Sequence, residues 1–267
     1  MNIEQKVKQT IKKYQLCNKK EKILVALSGG KDSAVTAYLL KKFGYDLEGI
    51  HIGLGLGEYS KRCLDAVKEL CERLQINLHI YSVKKETGKT MRDIFKHKDK
   101  KLSNCTLCGV MKKWFLNKKA RELKADKIAT GHNFDDGLET FLMNLFKGSS
   151  ELNSNSAPIL KTKNKKFIVR IKPLFFIENE EIKNYCKKLN LPVYKKICPY
   201  RGETYRVETR NFLKNLSSEE KKNLMKNSLK LAKKIKKEEK EIDYCEICGE
   251  PSRKNICKKC DLLNSKL

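Results

Sequence analysis

Ser28-Gly29-Gly30-Lys31-Asp32-Ser33 stands between the apolar, strand-like run Lys22-Ile23-Leu24-Val25-Ala26-Leu27 and the helical pattern Ala34-Val35-Thr36-Ala37-Tyr38-Leu39-Leu40. Strand, glycine turn and helix in that order make an anion cradle. Glycines let backbone amides turn toward an anion, and the following helix offers unpaired N–H groups and the positive end of its dipole. Lys31 and the hydroxyls of Ser28 and Ser33 add side-chain donors, so the loop from Ser28 through Gly29, Gly30 and Asp32 to Ser33 suits a phosphate chain. The spacing is neither the G-x-x-x-x-G-K-S/T of P-loop NTPases nor the G-x-G-x-x-G of dinucleotide-binding folds. The plainer alternative is a Gly-Gly turn joining a strand to a helix.

Outward from the loop, strand patterns recur at Lys22 to Leu27, Leu47 to Ile52, Asn77 to Val83 and Lys127 to Thr130. Helical patterns fill Ser33 to Phe43, Tyr59 to Leu74, Cys108 to Leu123 and Asp135 to Phe146, with Gly44 placed to stop the first of them. This alternation predicts an α/β fold, a parallel sheet with helices on both faces. Ligands of such sheets sit beyond the carboxyl ends of the strands. Three loops lie there: Ser28 to Ser33, the glycine-punctuated His51 to Gly57, and Thr130-Gly131-His132-Asn133. His51, Gly131 and His132 therefore join the six loop residues as candidates for contacting a bound nucleotide.

Ile3, Val7, Ile11 and Tyr14 recur at helical spacing and predict an amphipathic helix before the first strand. Lys147 to Lys166 is rich in Ser, Asn and Lys and reads as a mobile surface loop near the substrate entrance. Phe167 to Ile171, a helix near Glu178 to Leu189, and the extended Leu191-Pro192-Val193-Tyr194 complete the main domain. Ser217 to Glu241 reads as one basic helix, opened by a Ser217/Glu220 capping box and carrying a packing stripe of Leu224, Leu231 and Ile235. The expected units are an N-terminal helix (1–20), a main domain (21–216), a connecting helix (217–241) and a cysteine-rich module (242–267).

At 267 residues the chain supports one well-buried core and a small appended module. It contains no apolar run of about 18 residues, and its first residues lack the apolar stretch of a secretory signal, so a cytoplasmic protein with no membrane contact is expected. Fifty-nine Lys and Arg against 32 Asp and Glu give a formal charge of +27. Such an excess favours a polyanionic partner, RNA above all, through counterion release. A lysine-rich proteome would also raise Lys, but here acid does not balance it. Eleven cysteines in this setting read as metal ligands, redox centres and core fillers rather than a disulfide framework.

Cys245-Glu246-Ile247-Cys248 and Cys257-Lys258-Lys259-Cys260 are two C-x-x-C knuckles separated by eight residues, with Gly249 where a tight turn is needed. Four thiolates close a tetrahedral zinc site and leave no open position, so the zinc would be structural. So small a module has too little core to fold without the ion. A third pair, Cys105-Thr106-Leu107-Cys108, opens the helix bearing Val110, Met111, Trp114 and Phe115, and Cys198 is the candidate third ligand. Three thiolates suit an iron-sulfur cluster with one iron open; zinc plus water is also compatible. Cys17, Cys63, Cys71 and Cys186 read as small buried apolar residues.

The SGGKDS loop resembles that of the PP-loop ATP pyrophosphatases. Together with Cys105, Cys108 and Cys198, the segment Thr130-Gly131-His132-Asn133-Phe134-Asp135-Asp136 and a terminal zinc ribbon, it makes the chain similar to the tRNA 2-thiolation enzymes of that superfamily. The uridine-thiolating group is the nearer likeness and the cytidine-thiolating group the more distant. The resemblance implies an adenine nucleotide alpha hydrolase-like fold, ATP with Mg²⁺, and an oxygen-sensitive 4Fe-4S cluster on Cys105, Cys108 and Cys198. It implies a catalytic role for Lys112, which lies one helical turn from Cys108, and for Asp135 and Asp136 in orienting the magnesium ion or the uracil ring. Helix N-capping is the alternative for those two. Uridine-thiolating relatives often carry a further zinc module before the loop, and the first twenty residues here hold only Cys17.

The implied chemistry converts a poor leaving group into a good one: ATP adenylates O2 of the base, and AMP departs as sulfur held at the cluster's open iron attacks C2. Lys31 would offset charge on the phosphates, and Lys112 would stabilise the oxyanion or protonate the leaving group. Sulfur would come from sulfide, a persulfide or a ubiquitin-like thiocarboxylate; a homodimer is left open. Arg206 and Arg210, one turn apart, would clamp RNA or AMP phosphate, or else pair with Glu203 or Glu208. Tyr200 and Phe134 are candidates for base stacking or for the core. Competing functions are an adenylating amide or lysidine-type ligase, which needs no cluster, and a zinc-ribbon RNA-binding protein, which leaves the loop unused.

Overall fold

The computed structural model describes residues 1–96, 102–160, 164–202, 205–235 and 242–264. Helices α1 (Ile3–Tyr14), α2 (Lys31–Lys42), α3 (Glu58–Leu74), α4 (Val83–Thr87), α5 (Met91–Lys96), α6 (Asn104–Glu122) and α7 (Phe134–Phe146) alternate with strands β1 (Lys22–Ala26), β2 (Asp46–Gly53), β3 (Leu78–Ser82) and β4 (Lys127–Ala129). Strands β5 (Ile159–Leu160) and β6 (Val169–Ile171) follow, then α8 (Asn179–Lys188), α9 (Tyr205–Lys214) and α10 (Ser218–Lys234). A hairpin of β7 (Asp243–Tyr244) and β8 (Pro251–Ser252) and helix α11 (Lys258–Asn264) end the chain.

The main sheet runs β3-β2-β1-β4-β6-β5, parallel throughout except for the β5–β6 pair at its edge. β1 shows why both faces are covered. Ile23 and Val25 enter one core with Leu39, Leu40, Val67 and Ile182, while Leu24 between them enters the other with Leu107, Met111 and Phe115. Burying one such side chain contributes roughly 1.5–3 kcal/mol, so the period-two pattern pins β1 at the centre. A third core joins Phe134, Leu138, Phe141 and Phe175 to Leu213 and Met225 from α9 and α10. Phe134 is thus a core residue, and Tyr200 is half-buried against Phe95 at 5.6 Å.

Several expectations need correction. α6 begins at Asn104, ahead of Cys108, because Ser103 caps it by accepting from the Thr106 amide at 3.2 Å. The 147–166 stretch is not simply a loose surface loop: Ser150–Asn155 forms a 3₁₀ turn, and Asn153 is fully buried, held by the Asn144 amide at 2.8 Å and donating to the Phe141 carbonyl. α10 has the expected Ser217/Glu220 capping box but ends at Lys234 with Ile235 as its cap; 236–241 lie outside the described residues. Its most buried residues are Met225 and Ser228, with Leu224 and Leu231 flanking. Cys63, Cys71 and Cys186 are buried as expected, whereas Cys17 is half-buried.

Candidate functional site

The strand order reverses direction between β1 and β4, and the loops leaving these two strands face each other across the crevice. The first is the SGGKDS loop. Gly30 caps α2 without any side-chain bond to its first amides, which leaves those donors open to an anion. Ser33, by contrast, serves the loop itself: its hydroxyl donates to the Gly30 carbonyl at 2.9 Å and accepts from the Ser28 amide at 3.2 Å. Ser28 is the exposed hydroxyl. Lys31 is turned onto Asp32 at 2.8 Å and Asn179 at 2.6 Å, so it is not free in the crevice.

Gly131 and Gly29 owe their identity to close backbone approach. A Cβ on Gly131 would lie 2.6 Å from the Asp32 carbonyl carbon and 2.8 Å from the Ser33 nitrogen. Gly131 therefore supports the phosphate loop from beneath. Gly29 has φ +83° and a Cβ there would stand 2.7 Å from the Cys63 carbonyl oxygen on α3. Asn133 fastens the two loops by donating to Asp32 at 2.9 Å while capping α7 through the Asp136 amide at 3.0 Å.

Both aspartates carry structural duties. Asp136 completes the capping box on Asn133, and Asp135 accepts from the Asn179 amide at 2.7 Å, tying α7 to the start of α8. Burial pushes the Asp136 carboxyl above its usual range, Asp32 adds to that, and Arg206 opposes it. Asp32 lies close enough to act on the Asp136 carboxyl, and a divalent cation there would offset both charges.

A cavity of about 330 Å³ opens beside the loop, lined by Ser28, Gly30, His51, Tyr59, Lys112 and Tyr194 among others. His51 is buried, and its Nδ1 lies 2.9 Å from the Leu27 carbonyl, which can only accept. Nδ1 therefore carries the proton, and Nε2 is left as an acceptor. Burial lowers the His51 pKa and keeps the ring neutral. Tyr194, whose amide donates to the Gly29 carbonyl at 2.8 Å, and Tyr59, packed edge-on to it at 5.6 Å, were not singled out from the sequence. A larger hollow of about 700 Å³ lies at the opposite, amino ends of the strands, around Lys12, Cys17 and Tyr45.

Cys108 and Cys198 pack, with Tyr59, against the core that holds Ile52 and Leu54 of the 330 Å³ cavity. The Asn104 side chain donates to the Tyr200 carbonyl at 3.1 Å and so draws the start of α6 to the Cys198 segment. Burial raises the Cys108 pKa to about 11; Lys112 works against that, while Cys198 and Cys105 add to it. The three sulfurs therefore sense one another, yet they do not all lie within 4.8 Å, as the four sulfurs of the terminal module do. Thiolates on one tetrahedral ion stand roughly 3.8 Å apart, given Zn–S bonds of about 2.3 Å.

Cys245, Cys248, Cys257 and Cys260 do have single-ion spacing, with Cys248 and Cys257 sulfurs 3.6 Å apart. Although burial opposes it, backbone amides of Cys257, Cys248 and Ile247 bring Cys245 down to about 6, whereas burial drives Cys257 and Cys260 up. Four sulfurs this close ionise together only around a cation. The module docks on α6: Trp114 packs among its cysteines, Lys259 covers the Trp114 ring at 4.2 Å, and Arg121 pairs with Glu250.

Arg206 and Arg210, both partly exposed, pair with a buried acid. Arg210 Nε meets Glu139 at 2.6 Å and Arg206 meets it at 3.2 Å, with the Glu139 side chain only 2% exposed. Glu208 is not their partner, and Glu203 lies outside the described residues. Glu139 had no signal in the sequence beyond being an acid beside Leu138 in an apolar helix. Around His132, desolvation and then Lys172, Arg206, Lys113 and Arg170 lower the pKa to about 4, although part of the ring still faces solvent.

A family profile described as a PP-loop domain matches residues 1–215. The chain is 37% identical over 262 residues to the tRNA-5-methyluridine(54) 2-sulfurtransferase of Pyrococcus horikoshii, covering 96% of this chain and 83% of that protein. It is 34% identical over 271 residues to the cytoplasmic tRNA 2-thiolation protein 1 of Drosophila erecta, covering 97% and 78%. Among solved structures it is similar to the U34-tRNA thiolase NcsA from Methanococcus maripaludis, seen with its 4Fe-4S cluster, at a TM-score of 0.81 and 30% identity over 97% of this chain and 85% of that one. With the SGGKDS crevice and the cysteine trio already in place, these matches show that the chain belongs to the PP-loop family, among its tRNA 2-thiolation sulfurtransferases.

Proposed function

We propose that this protein adenylates O2 of a tRNA uridine with ATP and replaces that oxygen by sulfur, giving 2-thiouridine. The observation that carries the reading is the place of Lys112. Its side chain lines the nucleotide cavity with Ser28, His51 and Cys63, and its charge acts on Cys108, one helical turn back along α6. One ammonium thus stands between the activating half of the site and the thiolate half.

The open amides at the start of α2 and the Ser28 hydroxyl hold the ATP phosphates, and Lys31 turns from Asp32 to join them. Asp32 and Asp136 would hold Mg²⁺, which would offset the negative charge that burial disfavours on Asp136. The His51 Nε2 acceptor and the Tyr59 and Tyr194 rings receive the adenosine. Cys105, Cys108 and Cys198 would hold a 4Fe-4S cluster, which when bound supplies an iron on which sulfur is carried. Lys112 donates to the oxygen that leaves with AMP and fixes the base between the two halves. Cys245, Cys248, Cys257 and Cys260 would hold a zinc ion that ties the terminal module together against α6, and the positive surface grips tRNA in the cytoplasm.

The test is anaerobic reconstitution with tRNA, ATP, magnesium and sulfide, followed by nucleoside mass spectrometry. Wild-type protein yields 2-thiouridine and one AMP per thiolation. Cys198→Ala loses the visible absorbance and the product but keeps ATP binding; Lys112→Met keeps both absorbance and ATP binding and loses the product. A colourless protein that thiolates at full rate would sink the proposal.

A further inference from the structure

Arg170 and Lys172 sit on either side of Ile171 on β6, and Ile171 is buried in the core shared with α2 and α8. Alternation sends both cations to the opposite face, beneath α6. There the Arg170 guanidinium donates to the Lys113 carbonyl at 3.2 Å, which brings Lys113 to the same spot. His132 closes the group from the end of β4, its Nδ1 2.9 Å from the Thr130 hydroxyl. Lys172 lines a hollow of about 90 Å³ with His132, Asn133, Asp136, Thr140 and Ser156.

The nearby acids do not serve these cations. Glu139 is taken by Arg206 and Arg210, and Asp136 leans toward Arg206 at 3.6 Å while completing its capping box. Among the described residues, Lys113, Arg170 and Lys172 make no ion pair with a carboxylate. Burial and mutual repulsion bring Lys172 down to about 8 and lower Lys113 as well, with Asp136 pulling Lys172 only partly back. Three cations gathered without counter-charge, Arg170 and Lys172 half-buried and Lys113 still exposed, repel one another until an anion joins them.

We propose that Lys113, Arg170 and Lys172 form an oxyanion subsite beside His132 that takes a phosphate group of a bound reactant. This rests on the tRNA-thiolation reading above. The place suits it: Gly131 supports the Asp32–Ser33 peptide directly, so the subsite adjoins the phosphate loop. The two phosphates within range are the phosphodiester beside the target uridine and the pyrophosphate end of ATP, and binding measurements separate them.

The full-length variants Lys113→Gln, Lys172→Gln and their combination are compared with wild type by melting, by tRNA binding across a salt series and by inorganic pyrophosphate calorimetry. Relief of repulsion leaves the melting temperatures at or above wild type. If tRNA supplies the phosphate, the double variant binds tRNA on the order of 10-fold more weakly and its log–log salt slope is shallower by about one per contact removed. If ATP supplies it, pyrophosphate affinity falls by a similar factor while tRNA binding keeps its slope. Variants that melt like wild type and bind both ligands unchanged overturn the subsite. Should the double variant not fold, Lys113→Gln alone, on an exposed side chain, decides the matter. These readouts need no turnover, so a wild-type protein that binds phosphate here but does not thiolate tRNA refutes the functional reading and leaves the subsite standing.

Discussion

Replacing Gly131 by alanine puts one methyl group into the support of the phosphate loop. The new Cβ would meet the Asp32 carbonyl carbon at 2.6 Å, the Ser33 nitrogen at 2.8 Å and the Asp32 oxygen at 2.9 Å, where ordinary contact starts at 3.4 Å. All three atoms are backbone, so none can rotate aside; the loop must shift by several tenths of an ångström. Overpacking of this kind costs about 1–3 kcal/mol. In a domain of this size that lowers Tm by roughly 3–10 °C. The larger effect is on rate, because a misplacement approaching 1 Å at a positioning group costs on the order of 100-fold. Thermal melting gives the first quantity, and tRNA-dependent AMP release over an ATP series gives the second. Gly137→Ala is the control: its new Cβ lies 3.0 Å from the Met225 Cε, the free end of a flexible side chain, and costs under about 1 kcal/mol. A Gly131→Ala protein with wild-type melting and an unchanged KM for ATP would refute the argument that this glycine is required for backbone approach.

Arg210→Ala leaves the buried Glu139 with Arg206 alone; since Arg210 is itself 38% exposed, the loss is about 1–3 kcal/mol in denaturant unfolding, and adding Glu139→Gln recovers part of it. An Arg210→Ala protein as stable as wild type would mean that solvent already screens the pair. Cys257→Ser lowers zinc content by elemental analysis toward zero while the iron absorbance persists, and Cys198→Ala does the reverse; one variant losing both metals contradicts two separate centres. His132 is exposed, but burial of its surroundings and the cations Lys172, Arg206, Lys113 and Arg170 lower its pKa below the ordinary 6.5, so it binds its proton first in the unfolded chain and stability declines as pH falls below about 6.5. His132→Gln flattens that decline in a pH series of melting curves, and superimposable profiles would count against it.

The strand-loop-helix unit around Ser28 to Ser33 was legible because its signals are local. Apolar alternation sets β1, glycine sets the turn, and the absence of a side-chain cap on α2 follows from Gly30. The C-x-x-C knuckles were legible for the same reason: four ligands within sixteen residues need little more than a turn to meet. The Lys112 position relative to Cys108 likewise follows from helix geometry alone.

What the chain alone determined is therefore whatever depends on neighbours three or four residues away or on a period of two: the parallel sheet, the phosphate loop, the capping boxes and the zinc-type module. Tertiary structure alone decided the pairings across long separations. Glu139 meets Arg206 and Arg210 from 67 and 71 residues away, Asp135 is spent on the Asn179 amide 44 residues on, and Gly131 backs the peptide after Asp32. The cation group of Lys113, Arg170 and Lys172 exists only because β6 lies beside β4 under α6. Charges and close backbone contacts act over a few ångströms through space, and distance along the chain says nothing about them until the sheet order is set.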